Sequence, residues 1–210
     1  LTNRSLLFQN YVQIHFRLHH QKENFSYIWR QYCLWGQSRN AYRKLRSIRK
    51  LQQADAQLML EWMHDESVVA HLAGRFAEKT LDDCLGFIAA SQDQSSDLHL
   101  AVADQDDTYM GTVSLKHIDR TNHTAEFAIT VRKSAMGKGF SQYAMARMLE
   151  MGLRELDLTQ IFWCVAHVNQ RAVRFYDKCG YQRCHQVPQD IQANYTPEQL
   201  ERFIWYVYRG

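Results

Sequence analysis

The stretch RKSAMGKGFSQYAMARMLEMGLREL, residues 132–156, constrains the fold more than any other. It opens on Gly137 and Gly139 and continues as a strongly amphipathic helix. TAEFAITV before it and QIFWCVAHV after it read as strands. A second, shorter helix follows in VNQRAVRFYDKCGY, residues 168–181, with Asn169 placed to begin it and Gly180 to end it. Ala172, Phe175, Tyr176 and Cys179 line one side of that helix. A tyrosine hydroxyl therefore sits on an apolar side, and the rest of the chain has to explain it.

The remaining elements fall around this unit. YRKLRSIRKL is expected as a strand, and DAQLMLEWMHDESVVAHL as one or two helices. Thr80 is placed to cap a helix running to about Ser91, with Asp82 and Asp83 in its first turn. DLHLAVAD and YMGTVSLKHI are strands, and DRTNH suits a hairpin into TAEFAITV. YQRCHQV is a short strand, TPEQLE a helical turn that Pro197 starts, and RFIWYVYR a closing strand. Early helices, a central antiparallel meander and terminal strand-helix-strand units give an α+β (mixed α/β) layered sheet, mostly antiparallel, flanked by helices.

At 210 residues the chain is long enough to bury one sizeable core. No apolar run reaches the roughly 18 residues of a membrane span, and the N-terminus lacks a signal peptide's apolar centre. A cytoplasmic location is expected. The five cysteines are odd in number and show no C-x-x-C pair, which fits reduced thiols; no metal site is expected. Residues 1–50 carry ten Lys/Arg against Glu23 alone, in a chain whose net charge is only +3. Two readings of this asymmetry stay open: a basic arm for nucleic acid or anionic membrane, or a poorly ordered extension. No nucleic-acid motif accompanies it, so nucleic acid is not the favoured partner. Residues 1–41, with scattered aromatics, are expected as an N-terminal extension, and 42–210 as the functional domain.

Gly137 and Gly139 let backbone amides approach a ligand closely. The helix that follows adds unpaired N–H groups and the positive end of its dipole, and Lys138 adds a cation. This is a phosphate site in kind, or a structural turn. It is neither a Walker loop nor G-x-G-x-x-G, because Gln142 holds the last position.

The order of acid-bearing strand, glycine turn, long helix, strand and Asn-x-x-Ala-x-x-x-Tyr-x-x-x-Gly-Tyr resembles the GNAT superfamily of acyl-CoA-dependent N-acetyltransferases. The family's Gln/Arg-x-x-Gly-x-Gly/Ala motif is met by MGKGFS, with Met136 for the Gln/Arg and Ser141 for the last small residue. The resemblance covers about residues 42–209. It implies acetyl-CoA as co-substrate, with its pyrophosphate on the Gly137–Ser141 amides. It further implies that the main chain of Ile129 and Val131 pairs with the pantetheine arm, that Asn169 bonds the same arm, and that Tyr176 faces the thioester sulfur and protonates the leaving thiolate. The other reading of Tyr176 is a core tyrosine bonded to a backbone carbonyl.

Acetylating an amine requires a base, because free alkyl amines have a pKa of about 10.4, as lysine does. Glu126 is the candidate. In TAEFAITV it shares a face with Ala128 and Thr130, opposite Phe127, Ile129 and Val131. A solvated sheet face or a salt bridge is the alternative. Asp119 and Glu155 are weaker candidates. The resemblance further implies that the first helices, roughly 62–79, cover the acceptor site, with His64, Asp65, Glu66 and Arg75 as polar candidates there or as ordinary surface residues. The acceptor is expected to be a small amine or amino sugar, with a ribosomal-protein-type N-terminus as the alternative. A non-catalytic acyl-CoA-binding module would keep the glycine turn and lack Glu126 and Tyr176. Oligomeric state is not legible.

Overall fold

The structure, a computed structural model, describes residues 46–72 and 74–210. The expected N-terminal extension and the first residues of the YRKLRSIRKL strand lie outside them. The strands are β1 (Arg46–Lys50), β2 (Leu98–Asp104), β3 (Tyr109–Asp119), β4 (Thr124–Val131), β5 (Gln160–Ala166), β6 (Gln182–Cys184) and β7 (Phe203–Arg209). They form one sheet in the order β1-β2-β3-β4-β5-β7-β6. Every neighbouring pair is antiparallel except β4 and β5. That exception follows from the connection, since parallel strands need a long crossover and here a helix supplies it.

The helices are α1 (Ala56–Met63), α2 (Glu66–Val69), α3 (Leu81–Ala90), α4 (Phe140–Glu155), α5 (Gln170–Lys178), α6 (Gln189–Gln192) and α7 (Pro197–Arg202). The crossover is α4, which buries Phe140, Ala144, Met145, Met148, Leu149 and Gly152, one face at helical spacing. Gly152 is set so close to the sheet that a Cβ there would meet Ile161 Cδ1 at 2.7 Å. With α5, it covers the sheet face bearing Val113, Leu115, Phe127, Ile161 and Trp163. On the other face, α1 and α3 close over Ala101 and Tyr109. There too, Phe162, Trp205 and Val207 pack under Ile191 of α6.

The caps follow the expected chemistry. Thr80 and Asp83 form a reciprocal capping box on α3, and Thr196 and Gln199 form one on α7, where Pro197 opens the helix. Asn169 Oδ1 accepts the Ala172 N–H at 3.1 Å to start α5. Gly180 follows that helix with φ 77°, the left-handed conformation glycine favours. The short helix α6 has no counterpart in the sequence expectation.

Candidate active site

The sheet opens between its two parallel strands. β4 and β5 pair only at Thr124–Gln160, Ala125–Ile161 and Glu126–Phe162. Beyond those residues β3 keeps hold of β4 as far as Val131, while β7 keeps hold of β5 as far as Ala166. Each strand stays with its outer neighbour, and the two part. The Arg132 N–H donates to Met110 O, on the β3 side. Strand alternation then turns the peptide groups of Phe127, Ile129 and Val131 to the opposite edge, the one β5 has left. Ile129 and Val131 thus present main-chain groups to the opening.

The glycine turn stands at the end of β4. Gly137 and Gly139 have φ 75° and 79°, which an L side chain rarely adopts. A Cβ on Gly137 would meet open space, and one on Gly139 would lie 3.4 Å from the Arg46 guanidinium. The Lys138 N–H is spent inside the turn on Ala135 O. The first helical residues, Phe140 and Ser141, have amides with no intrahelical carbonyl to meet. Lys138 is exposed. The sequence counted Arg46 only within a basic run. Sheet order brings it here, where it donates to Lys138 O and lies 4.9 Å over the Phe140 ring. Met136, where the family motif has Gln or Arg, is met by Arg171 of α5, whose Nη1 is 3.1 Å from its sulfur.

Tyr176 lies on the α4/α5 face, 8% exposed. Its ring is caged by Trp163 at 5.6 Å and Tyr206 at 5.1 Å, centroid to centroid. Tyr206 is fixed by donating to Asp177, which also pairs with Arg183. Among the described residues the Tyr176 hydroxyl meets no hydrogen-bond partner, so the ring belongs to the core, as the core-tyrosine reading expects, without the backbone-carbonyl bond of that reading. Burial pushes its pKa well above the ordinary phenol value, with Cys164 and Tyr206 adding to the rise.

Glu126 stands at the point where the strands part, on the opposite face, and only 3% exposed. The solvated-face alternative therefore does not hold, and the carboxylate is ion-paired. Its Oε1 receives Lys116 Nζ at 2.7 Å and the Tyr195 hydroxyl at 2.6 Å. Its Oε2 is buried with no hydrogen-bond partner among the described residues. Lys116 is its register partner on β3, and Tyr195 comes from the segment between α6 and α7. The Cys164 thiol of β5 donates to Tyr195 Oη at 3.6 Å. Successive residues of β5 thus serve opposite faces: Trp163 the Tyr176 cage, Cys164 the Glu126 cluster.

Three of the weaker candidates are otherwise engaged. Asp119 caps the β3–β4 hairpin by accepting the amides of Thr121 and Asn122. Asp65 caps α2 through the Ser67 amide, and His64 Nε2 bonds Lys79 O. Glu66, Arg75 and Glu155 are exposed.

Known proteins place the chain. A family model described as an acetyltransferase (GNAT) domain matches residues 47–182. A spermidine N(1)-acetyltransferase of Vibrio cholerae serotype O1 is 31% identical over 87 residues, 41% of this chain and 50% of that one. One from Escherichia coli K12 is 29% identical over 80 residues, 38% and 43%. The chain thus spans about half the length of the curated relatives it matches, or less. In fold it resembles the crystal structure of spermidine N-acetyltransferase from Vibrio cholerae in complex with CoA and spermine, with TM-score 0.64 and 18% identity over 78% of this chain and 95% of that one. A dodecameric structure of the Vibrio cholerae enzyme gives TM-score 0.59 at 21% identity, over 78% and 93%. With the family model matching the greater part of its length, and with the sheet opening where the glycine turn and the Asn169 helix converge, the chain belongs to the GNAT acetyltransferase family.

Proposed function

We propose that the protein transfers the acetyl group of acetyl-CoA to a primary amine of a small molecule, and that polyamines are the acceptor class to try first. The observation that carries the reading is the parting of β4 from β5 beyond Glu126 and Phe162. It leaves a strand edge free for an extended ligand arm, and the glycine turn stands at the end of that edge. The pyrophosphate fits the turn's positive-φ glycines and the first amides of α4. The pantetheine arm fits the main chain of Ile129 and Val131, with Asn169 beside it. The acceptor class rests on the spermidine acetyltransferases among the relatives.

The chemistry divides between the two faces. Glu126 takes the proton the acceptor's ammonium must lose. The freed nitrogen attacks the thioester carbon, forming C–N as C–S breaks. N–H groups at the open β4 edge are donors for the oxyanion. The Tyr176 hydroxyl, protonated and without a competing partner, donates its proton to the departing thiolate, and the second proton, which the nitrogen sheds on becoming an amide, restores the phenol.

Purified protein with acetyl-CoA and a panel of amines tests this, with free thiol as readout. Spermidine and spermine are expected to release thiol faster than an amino sugar or a peptide N-terminus. Acetyl-CoA binding without thiol release from any amine would make the chain a binding module instead. Faster release with the amino sugar or peptide would keep the transfer and replace the polyamine.

A further inference from the structure

The Glu126 carboxylate lies behind other groups. Its residue is 3% exposed, and its one unpartnered oxygen is fully covered. An acceptor nitrogen in the opening does not touch it directly. Two groups reach outward from it: Lys116, 30% exposed at its side chain, and Tyr195, which is half-buried. Only Tyr195 has both a hydrogen to give and a lone pair to receive, since an ammonium has no acceptor. Its hydroxyl already gives its hydrogen to Glu126 Oε1 and receives one from Cys164, a residue of the strand that lines the opening. The donors run in one direction, from β5 to the acid.

We propose that Tyr195 is the proton relay that joins the acceptor site to Glu126. This rests on the reading of Glu126 as the base. The acceptor's N–H breaks as its proton moves to Tyr195 Oη, displacing the weak thiol donor there. The Tyr195 O–H breaks as its own proton moves to Glu126 Oε1. Tyrosine is regenerated, the acid is protonated, and the neutral amine attacks. After product leaves, the proton returns to solvent along the same path. The titratable groups facing the tyrosine are Glu126 from β4, Lys116 from β3 and Cys164 from β5. Burial, with Cys164 and Glu126 nearby, keeps Tyr195 a phenol far above its ordinary range. Burial likewise pushes the Cys164 thiol up to about 12, so it stays a donor rather than a thiolate.

The ring itself is held by Phe203 at 5.7 Å and Trp205 at 5.2 Å, contacts that phenylalanine keeps. Tyr195→Phe should therefore fold and bind acetyl-CoA as the parent does. Its kcat should fall about 10²-fold near neutral pH, the lower end of what a proton-transfer group contributes. The deficit should shrink as pH rises toward the amine's own pKa of about 10.4, because free amine then needs no relay. KM for the acceptor should change little. An even loss at all pH values, with a lowered melting temperature, would make Tyr195 structural and overturn the relay. Glu126→Gln and Lys116→Met are measured alongside. A pH-dependent deficit in Glu126→Gln but none in Tyr195→Phe would keep the base and overturn the relay. The same deficit in Lys116→Met alone would move the path to Lys116. No deficit in Glu126→Gln would overturn the base itself.

Discussion

On one face of the sheet the Glu126 carboxylate receives two donors on a single oxygen. On the other, the Tyr176 hydroxyl receives and gives nothing among the described residues, inside an aromatic cage. Both groups are buried; Glu126 stands at the last pair before the strands part, and Tyr176 packs on Trp163 of β5. Under the proposed reaction their tasks are opposite. Lys116 and Tyr195 hold the Glu126 carboxylate in place as a proton acceptor. The apolar cage keeps Tyr176 a neutral phenol, the form that donates a proton.

The largest effect that tests this division is Glu126→Gln. It keeps shape but abolishes proton acceptance, and should cost about 10²–10⁴-fold in turnover. The loss should be greatest at low pH, where free amine is scarce, and shrink as pH rises. Initial rates across pH for parent and variant check it, and a ratio near one throughout would leave Glu126 as an ion-paired structural acid.

Tyr176→Phe should cost about 10²-fold, and its pH behaviour should differ. The phenol stays protonated across the working range because burial raises it, so its deficit should stay level while that of Glu126→Gln closes. Acetyl-CoA affinity should hardly move. Two deficits that close in parallel would mean both groups serve the amine, and the division between faces would fail.

A third substitution leaves proton transfer alone and strikes the cradle. Gly139→Val forces a β-branched residue into φ 79°, at about 1–2 kcal/mol of backbone strain. It also sets a side chain against Arg46 beside the turn. The strain is a cost in stability; affinity falls because the side chain fills space beside the amides that the pyrophosphate must approach, and acetyl-CoA should bind about tenfold or more weakly, a loss of roughly 1.4 kcal/mol. Calorimetric titration of the folded variant checks it, and unchanged affinity would remove the turn from the cofactor site.

These regions differ in how far the sequence exposes them. The glycine turn, the Thr80, Asn169 and Thr196 caps and the alternation of β4 are local patterns, set by neighbours a few residues away. The Glu126 cluster is not local. Tyr195 lies 69 positions from the acid it bonds, on a segment whose fold around α6 gave no periodic signal. Lys116 faces Glu126 through hairpin register, which shows only once the β3–β4 pairing is known. Arg46 reaches the turn from β1, at the far side of the sheet order, and reads in sequence as one more basic residue. Tyr176 falls between: its place on an apolar face was readable, while the lack of a partner for its hydroxyl was not.

The smallest effect separates two roles of one residue. Asn169 caps α5, the helix that carries Tyr176, by accepting the Ala172 amide at 3.1 Å. Asn169→Ala should lower stability by about 1 kcal/mol, the usual worth of such a cap. In a domain of this size that is about 2–4 °C in melting temperature. Turnover should barely change if capping is all it does, because Trp163 and Tyr206 hold the tyrosine ring two turns farther on. Asn169→Asp keeps the cap and adds a charge, so it should melt like the parent. A contact between the Asn169 side chain and the pantetheine arm predicts something else: both variants lose acetyl-CoA affinity, while only the alanine loses stability. Melting curves and acetyl-CoA titrations on the pair therefore decide whether α5 serves the cofactor at its first residue or serves only to present Tyr176.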